Sequence, residues 1–76
     1  MVSDLEAKTI VAGNLKRLLE EQGHSRYWLS QQTGDDESKV SRVINEKSIA
    51  TAGFLMRAAN ALGVSLDDLT TERIAA

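Results

Sequence analysis

Signals that start and stop helices recur along this chain and divide it into five short segments. Five residues of the capping type each stand before an apolar run, namely Ser3, Ser25, Asp36, Thr51 and Ser65. Their side-chain oxygens can accept hydrogen bonds from the free amides of a first helical turn, and Glu6 after Ser3 adds a capping box. Four residues that favour helix ends close the first four segments: Gly23, Gly34, Asn45 and Gly63. This pattern predicts five helices joined by short connections.

The apolar residues inside these segments repeat at helical spacing, so each helix should bury one face. The predicted apolar faces comprise Leu5, Ile10, Val11, Leu15, Leu18, Leu19, Leu29, Val40, Val43, Ile44, Phe54, Leu55, Ala58, Ala59, Leu62, Leu66 and Leu69, and the second helix also carries Tyr27 and Trp28. A chain of 76 residues is long enough for one small domain, and it contains no linker and no internal repeat. We therefore expect an all-α, five-helix bundle that forms a single domain over residues 1–76.

Composition excludes several classes of functional site. Cysteine is absent and His24 is the sole histidine, so a disulfide framework, a metal cluster or a Ser-His-Asp triad is not expected. No pair of carboxylates, activated nucleophile or phosphate loop is recognisable, which argues against an enzyme and against a cofactor. Without a long apolar run or a signal peptide, we expect a soluble cytoplasmic protein with no membrane partner. The net charge of −2 disfavours a strong sequence-independent grip on nucleic acid.

Two stretches of the sequence carry a family resemblance. The segment from Arg26 to Asn45 has the spacing of two short helices around a tight turn, with Leu29, Gly34, Val40 and Val43 at its deciding positions. Further along, the phrase LMRAANALGVSLDDL follows in register. Together they resemble the phage repressor and Cro-like (Xre-type) helix-turn-helix family over roughly residues 13–69. The resemblance implies a lambda-repressor-like bundle in which helices 2 and 3, about residues 26–45, form the helix-turn-helix.

The sequence departs from the family pattern at several positions. Asp35 stands where an apolar residue is usual, and residues 44–46 read Ile-Asn-Glu in place of Glu-Asn-Gly. We expect Asn45 to adopt the left-handed conformation that the missing glycine usually supplies. An ion pair common in the family is replaced by Leu19 and Ile44, which implies an apolar contact instead.

The resemblance also implies which residues touch DNA. Base-reading positions on the third helix correspond to Glu37, Ser38, Lys39, Ser41 and Arg42. Phosphate-contacting positions correspond to Arg26, Tyr27, Asn45, Lys47 and Ser48. Among the base readers, Arg42 is the strongest candidate because a guanidinium can bond the O6 and N7 atoms of guanine as a fork.

Three acids open the third helix, although its expected ligand is a polyanion. Asp36 has the simplest explanation, since a carboxylate at an N-cap can bond the amides of the first turn. The helix dipole favours Glu37 in that turn, and its carboxylate could also accept from cytosine N4 and repel other bases. For Asp35 we expect only exposure to solvent in the turn.

The function implied is that of a sequence-specific regulator of transcription bound to double-stranded DNA. It would be a phage or prophage repressor, or the DNA-binding domain of one, on a near-palindromic operator as a homodimer. Leu66, Leu69 and Ile74 are the expected dimer contact, and a contact with RNA polymerase or another protein stays open. The alternative is an antitoxin-type or other protein-interaction module of the same fold. Arg26, Arg42, Asn45 and Lys47 on one surface favour the DNA reader.

Overall fold

A computed structural model describes residues 2–72. Its helices are α1 (Asp4–Gln22), α2 (Arg26–Thr33), α3 (Glu37–Ile44), α4 (Ala52–Leu62) and α5 (Leu66–Thr70). Helix α1 packs against α3 and α5, whereas α2 packs against α3 and α4. Helix α5 closes the bundle by packing against both α1 and α4. The predicted all-α fold of five helices is confirmed, and the buried side chains of all five converge on one core.

Four of the five predicted helix starts have the expected side-chain cap. The hydroxyl groups of Ser3, Ser25, Thr51 and Ser65 each accept a hydrogen bond from the backbone amide three residues later. The complete capping box forms at Ser65, whose own amide donates to the Asp68 carboxylate. At the start of α1 the Glu6 carboxylate instead accepts from the Ser3 hydroxyl. Local sequence signals therefore placed these helix starts correctly.

The core contains most of the side chains that helical spacing assigned to it. Its members are Val11, Leu15, Leu18, Leu19, Leu29, Val40, Val43, Ile44, Phe54, Ala58, Ala59, Leu62 and Leu69. The pair Leu19 and Ile44 is buried there, as expected from the absence of the family's ion pair. Leu5 is an exception: its side chain is 70% exposed, because it lies on the first turn of α1, beyond the core members of that helix.

A buried amide that the sequence analysis did not single out fixes α5 to α1. Asn14 is 4% exposed, and its Nδ2 donates to the carbonyl oxygens of Leu69 and Thr71 at 2.9 and 3.0 Å. These bonds satisfy carbonyls at the end of a short helix that has few internal hydrogen bonds of its own. Asn14 therefore helps to hold α5 in a fixed position on the bundle.

This position of α5 corrects the predicted dimer contact. Leu69 is fully buried in the core of its own chain, so its side chain is not available to a second copy. Leu66 was expected to point inward, but it is 42% exposed. The third predicted contact, Ile74, lies outside the described residues. One surface residue of the predicted set, Leu66, is therefore free to take part in an interface.

The end of α3 corrects another expectation. Asn45 has a φ of −89°, and the left-handed residue is Glu46, with a φ of 62°. The amide of Lys47 bonds the Arg42 carbonyl and that of Glu46 bonds the Val43 carbonyl, which is a Schellman ending. That motif places the left-handed residue one position beyond the cap. The Glu46 carboxylate also accepts from the Thr9 hydroxyl at 2.6 Å, which ties this turn to α1.

The backbone at position 46 leads to a prediction about stability. A side chain with a Cβ disfavours the left-handed region, whereas glycine does not. We expect Glu46→Gly to be more stable than Glu46→Ala by about 1 kcal/mol, since both variants lose the bond to Thr9 and differ only in the Cβ. Urea unfolding followed by circular dichroism measures the difference. Equal stability of the two variants would show that residue 46 is not held in the left-handed conformation.

Candidate nucleic-acid interface

The turn between α2 and α3 fixes the angle at which α3 leaves the bundle. Gly34 has a φ of 79° and ends α2 in the left-handed conformation that the sequence predicted. Leu29, Val40 and Val43 are at most 2% exposed and lock the two helices together. Ser30 is also buried, and its hydroxyl donates to the Tyr27 carbonyl at 2.7 Å. The helix-turn-helix therefore presents a rigid α3 whose opposite side faces solvent.

The solvent side of α3 carries three of the predicted base readers. Glu37, Ser38 and Arg42 are exposed. Ser38 and Arg42 lie on the face opposite Val40 and Val43, and Glu37 lies in the first turn of the helix. Among the residues that the structure describes, none forms a hydrogen bond or an ion pair with the Arg42 guanidinium. The N–H donors of the Arg42 guanidinium therefore remain available to a ligand, because no acceptor in the described part of the chain binds them.

A hydrogen-bonded cluster joins the start of α2 to the end of α3. The Arg26 Nη1 atom donates to the Ser41 hydroxyl at 3.0 Å and to the Asn45 Oδ1 atom at 3.3 Å. The Asn45 Nδ2 atom lies 3.4 Å from the same hydroxyl. Three residues predicted for DNA contact are therefore brought together, although Ser41 is only partly exposed. One guanidinium has five N–H donors, so Arg26 retains donors for a phosphate.

The remaining predicted phosphate contacts flank this cluster. Tyr27 follows Arg26 on the first turn of α2 and is 57% exposed. Lys47 is exposed just beyond the end of α3, and Ser48 after it is half-buried. Neither Tyr27 nor Lys47 has a side-chain hydrogen bond within the described part of the chain. A phenol and an ammonium thus lie free on either side of the Arg26 cluster.

Of the three acids at the start of α3, Asp36 and Asp35 differ from their predicted roles. Asp36 occupies the N-cap position with extended backbone angles, but its carboxylate makes no capping hydrogen bond. The predicted bond between this side chain and the first-turn amides is therefore wrong, although the predicted helix start is correct. Glu37 is exposed in the first turn, where the helix dipole favours a negative charge.

Asp35 was expected in solvent, yet its side chain is only 11% exposed. The Lys39 Nζ atom lies 3.1 Å from one carboxylate oxygen, and the Arg57 Nη2 atom lies 3.1 and 3.2 Å from the two oxygens. Burial acts to raise the pKa of the Asp35 carboxyl, but the bonds from Arg57 and Lys39 outweigh it and lower that pKa below its ordinary value. The expectation failed because Arg57 comes from α4, 22 residues away in sequence.

This ion pair also determines where Lys39 lies. Lys39 was predicted as a base reader, and its ammonium group is directed to the turn before α3. The acid lies in that turn, and the base lies four residues later on α3. Of the five predicted base readers, Glu37, Ser38 and Arg42 are exposed and have no side-chain partner among residues 2–72, whereas Lys39 and Ser41 are engaged within the protein.

Comparison with known proteins adds to this geometry. Residues 14–71 match the family described as the Cro/C1-type HTH DNA-binding domain. The chain belongs to this family. The crystal structure of a hypothetical transcription factor, NHTF, from Neisseria superposes with a TM-score of 0.84 at 24% identity. The match covers 92% of this chain and 80% of that one, and it supports the fold. No curated protein matches the sequence.

A groove between the start of α1 and the loop after α3 is lined mainly by apolar side chains, including Val2, Ile10, Ile49 and Leu55, with Lys8 as its single charged residue. Residues 2–72 contain no cluster of metal-ligating side chains. No helix in that range combines the length and apolar character needed to cross a membrane. The exposed polar and basic side chains of the α2–α3 surface make it the candidate site of this DNA-binding domain.

Proposed function

We propose that this domain is a sequence-specific regulator of transcription that reads double-stranded DNA with α3. The observation that carries the proposal is Arg42, which lies on the exposed face of α3 next to the cluster of Arg26 and Asn45 and has no side-chain partner in the part of the chain that the structure describes. Arg42 would form a fork with guanine in the major groove, where each base pair shows a distinct pattern of donors and acceptors. Ser38 and Glu37 would read neighbouring bases, with Glu37 accepting from cytosine. Regulation would follow from occupancy of the DNA alone, without catalysis.

The residues around α3 would fix its register on the duplex. Arg26, Tyr27, Asn45, Lys47 and Ser48 come from the start of α2 and the segment that follows α3. Contacts to phosphates from both sides of a recognition helix position it without reading sequence themselves. The backbone amides at the start of α2 add a partial positive charge near Arg26 and Tyr27. With a few basic and polar residues concentrated at the DNA-facing surface, the domain could bind DNA although its net charge is −2.

The DNA site would be near-palindromic, because two copies related by a two-fold axis would place one α3 in each half-site. Such half-sites lie about 34 Å apart along the duplex. Leu66 is the predicted dimer residue that the structure leaves exposed. We propose a repressor of the phage or prophage type, acting in the cytoplasm as a homodimer assembled on its operator.

Selection of binding sites from random duplexes at moderate salt tests this proposal. We expect a single enriched motif with two-fold symmetry, and protection of one face of that site in a footprint. A symmetric motif would support both DNA reading and dimeric binding, whereas a single half-site would support reading by a monomer. If no motif is enriched at any salt concentration, the DNA-reading proposal fails. The antitoxin-type or protein-interaction alternative would then take its place.

A further inference from the structure

Two of the nine basic residues in this chain, Lys39 and Arg57, form ion pairs with the same carboxylate. The Asp35 side chain binds Lys39 and Arg57 at 3.1 Å each, and it is the least exposed member of the group. Its 11% exposure compares with 37% for Lys39 and 46% for Arg57. The charges meet at the turn of the helix-turn-helix, next to the face that would approach DNA. Both cations would otherwise be available to phosphates.

The surrounding residues stabilise this arrangement. A Cβ at Gly53 would lie 3.0 Å from the Arg57 Nη1 atom, so the absence of a side chain there leaves space for the guanidinium. The Asp35 amide also donates to the Thr33 hydroxyl at 3.3 Å, which orients the turn. Withdrawing a cation from a largely buried carboxylate costs more than withdrawing it from an exposed one. Phosphates would have to offset that cost to capture Lys39.

We propose that Asp35 is a specificity-determining residue, which holds Lys39 and Arg57 away from the DNA backbone. The proposal rests on the DNA-binding function proposed above. Sequence-independent affinity rises with the number of phosphates that a protein neutralises. With both cations held by Asp35, less of the binding comes from general attraction and more from Arg42 and its neighbours. The acid that precedes the recognition helix thus increases the preference for the correct site.

Asp35→Asn tests this inference, with Asp36→Asn as the matched control. Both variants remove one negative charge from adjacent positions, but Asp36 makes no capping bond and forms no ion pair with any cation in residues 2–72. We expect Asp35→Asn to steepen the slope of log affinity against log salt for a random duplex by about 0.9 per cation released. Its preference for the selected operator over random DNA should fall. Asp36→Asn should change both quantities much less.

Lys39→Met in the wild-type background provides a second readout, which does not depend on the stability of Asp35→Asn. In the wild-type background it should leave the salt slope unchanged, because Lys39 already has its partner. In the Asp35→Asn background it should remove the part of the gain that Lys39 supplies. A flatter slope for Lys39→Met alone would show that Lys39 contacts phosphate in the wild-type protein, and would overturn the inference.

The outcomes also separate this inference from the proposed function. If the wild-type domain selects no DNA sequence, the proposed function fails and the inference fails with it. If the wild-type domain selects an operator but Asp35→Asn and Asp36→Asn behave alike, only the inference fails. Circular dichroism of each variant at the temperature of the binding assay verifies that the compared proteins are folded.

Discussion

Phe54→Ala is expected to lower the free energy of unfolding by about 3–5 kcal/mol. Phe54 is fully buried and has the largest side chain in the core of the domain. It lies on the first turn of α4, the helix that packs against both α2 and α5. Removing the ring forfeits its transfer free energy and leaves a cavity that the surrounding helices can close only in part. The change therefore weakens contacts of several helices at once.

The size of the domain makes this loss severe. Small domains are stable by only about 5–15 kcal/mol in total, and a chain of this length lies near the lower end of that range. Phe54→Ala should thus unfold in low urea or near ambient temperature. Phe54→Leu keeps the position apolar and should cost about 1–2 kcal/mol, so it yields a measurable transition if the alanine variant does not fold.

Met56 provides the matched control because it lies on the same helix and is 60% exposed. Met56→Ala should change the free energy of unfolding by less than about 0.5 kcal/mol. Urea titration of all three variants, followed by circular dichroism and by the fluorescence of Trp28, measures the effects. If Phe54→Ala lies within 1 kcal/mol of the wild type, the ring is not enclosed as the structure has it.

Local sequence signals were enough to predict the helices of this fold. Ser25, Thr51 and Ser65 cap helices through bonds that span three residues, and Gly34 ends one through its own backbone angles. Such features depend on the residue and its immediate neighbours, so they can be read without knowledge of the tertiary structure. Helical spacing identified the core because an amphipathic helix has one face to bury.

Features that depend on distant residues could not be predicted in the same way. Asp35 is tied to Arg57 from α4, and Asn14 reaches the carbonyls of α5, 55 residues ahead. No spacing rule links residues so far apart in sequence. The burial of Leu69, which was predicted as a dimer contact, could not be foreseen either, because apolar character alone does not distinguish a core residue from an interface residue. The left-handed residue after α3 is a different case: the family has glycine at position 46, which indicated the correct position, but the prediction assigned that conformation to Asn45 instead of Glu46.

The candidate site was predictable as a set of residues but not as a set of partners. The family pattern identified Arg26, Ser41 and Asn45 one by one, and the structure shows that they bond to one another. It also assigned Lys39 to base reading without accounting for an acid at position 35. The departure of this sequence from its family thus changes the electrostatics of the turn and leaves the helix-turn-helix geometry intact.

Arg42→Ala is expected to weaken binding to the selected operator by about 1–3 kcal/mol, roughly 5-fold to 150-fold, and to relax the preference at one base pair of each half-site. The guanidinium has no partner within the described protein, so its removal should leave the stability of the domain nearly unchanged. Arg42→Lys keeps the charge but loses the planar fork, and should recover only part of the affinity. Lys16→Ala removes an exposed cation from α1, away from the α2–α3 surface, and serves as the charge-matched control.

The pattern of loss across DNA sequences decides what Arg42 contacts. A base contact predicts that Arg42→Ala binds duplexes mutated at the relaxed position as well as it binds the operator, with little change in salt slope. A phosphate contact predicts uniform weakening on every duplex and a salt slope flatter by about one. In that second case Arg42 would join the positioning residues, and the sequence preference would have to come from Ser38 and Glu37. Selections with Ser38→Ala and Glu37→Gln would then identify which of these two side chains reads the base.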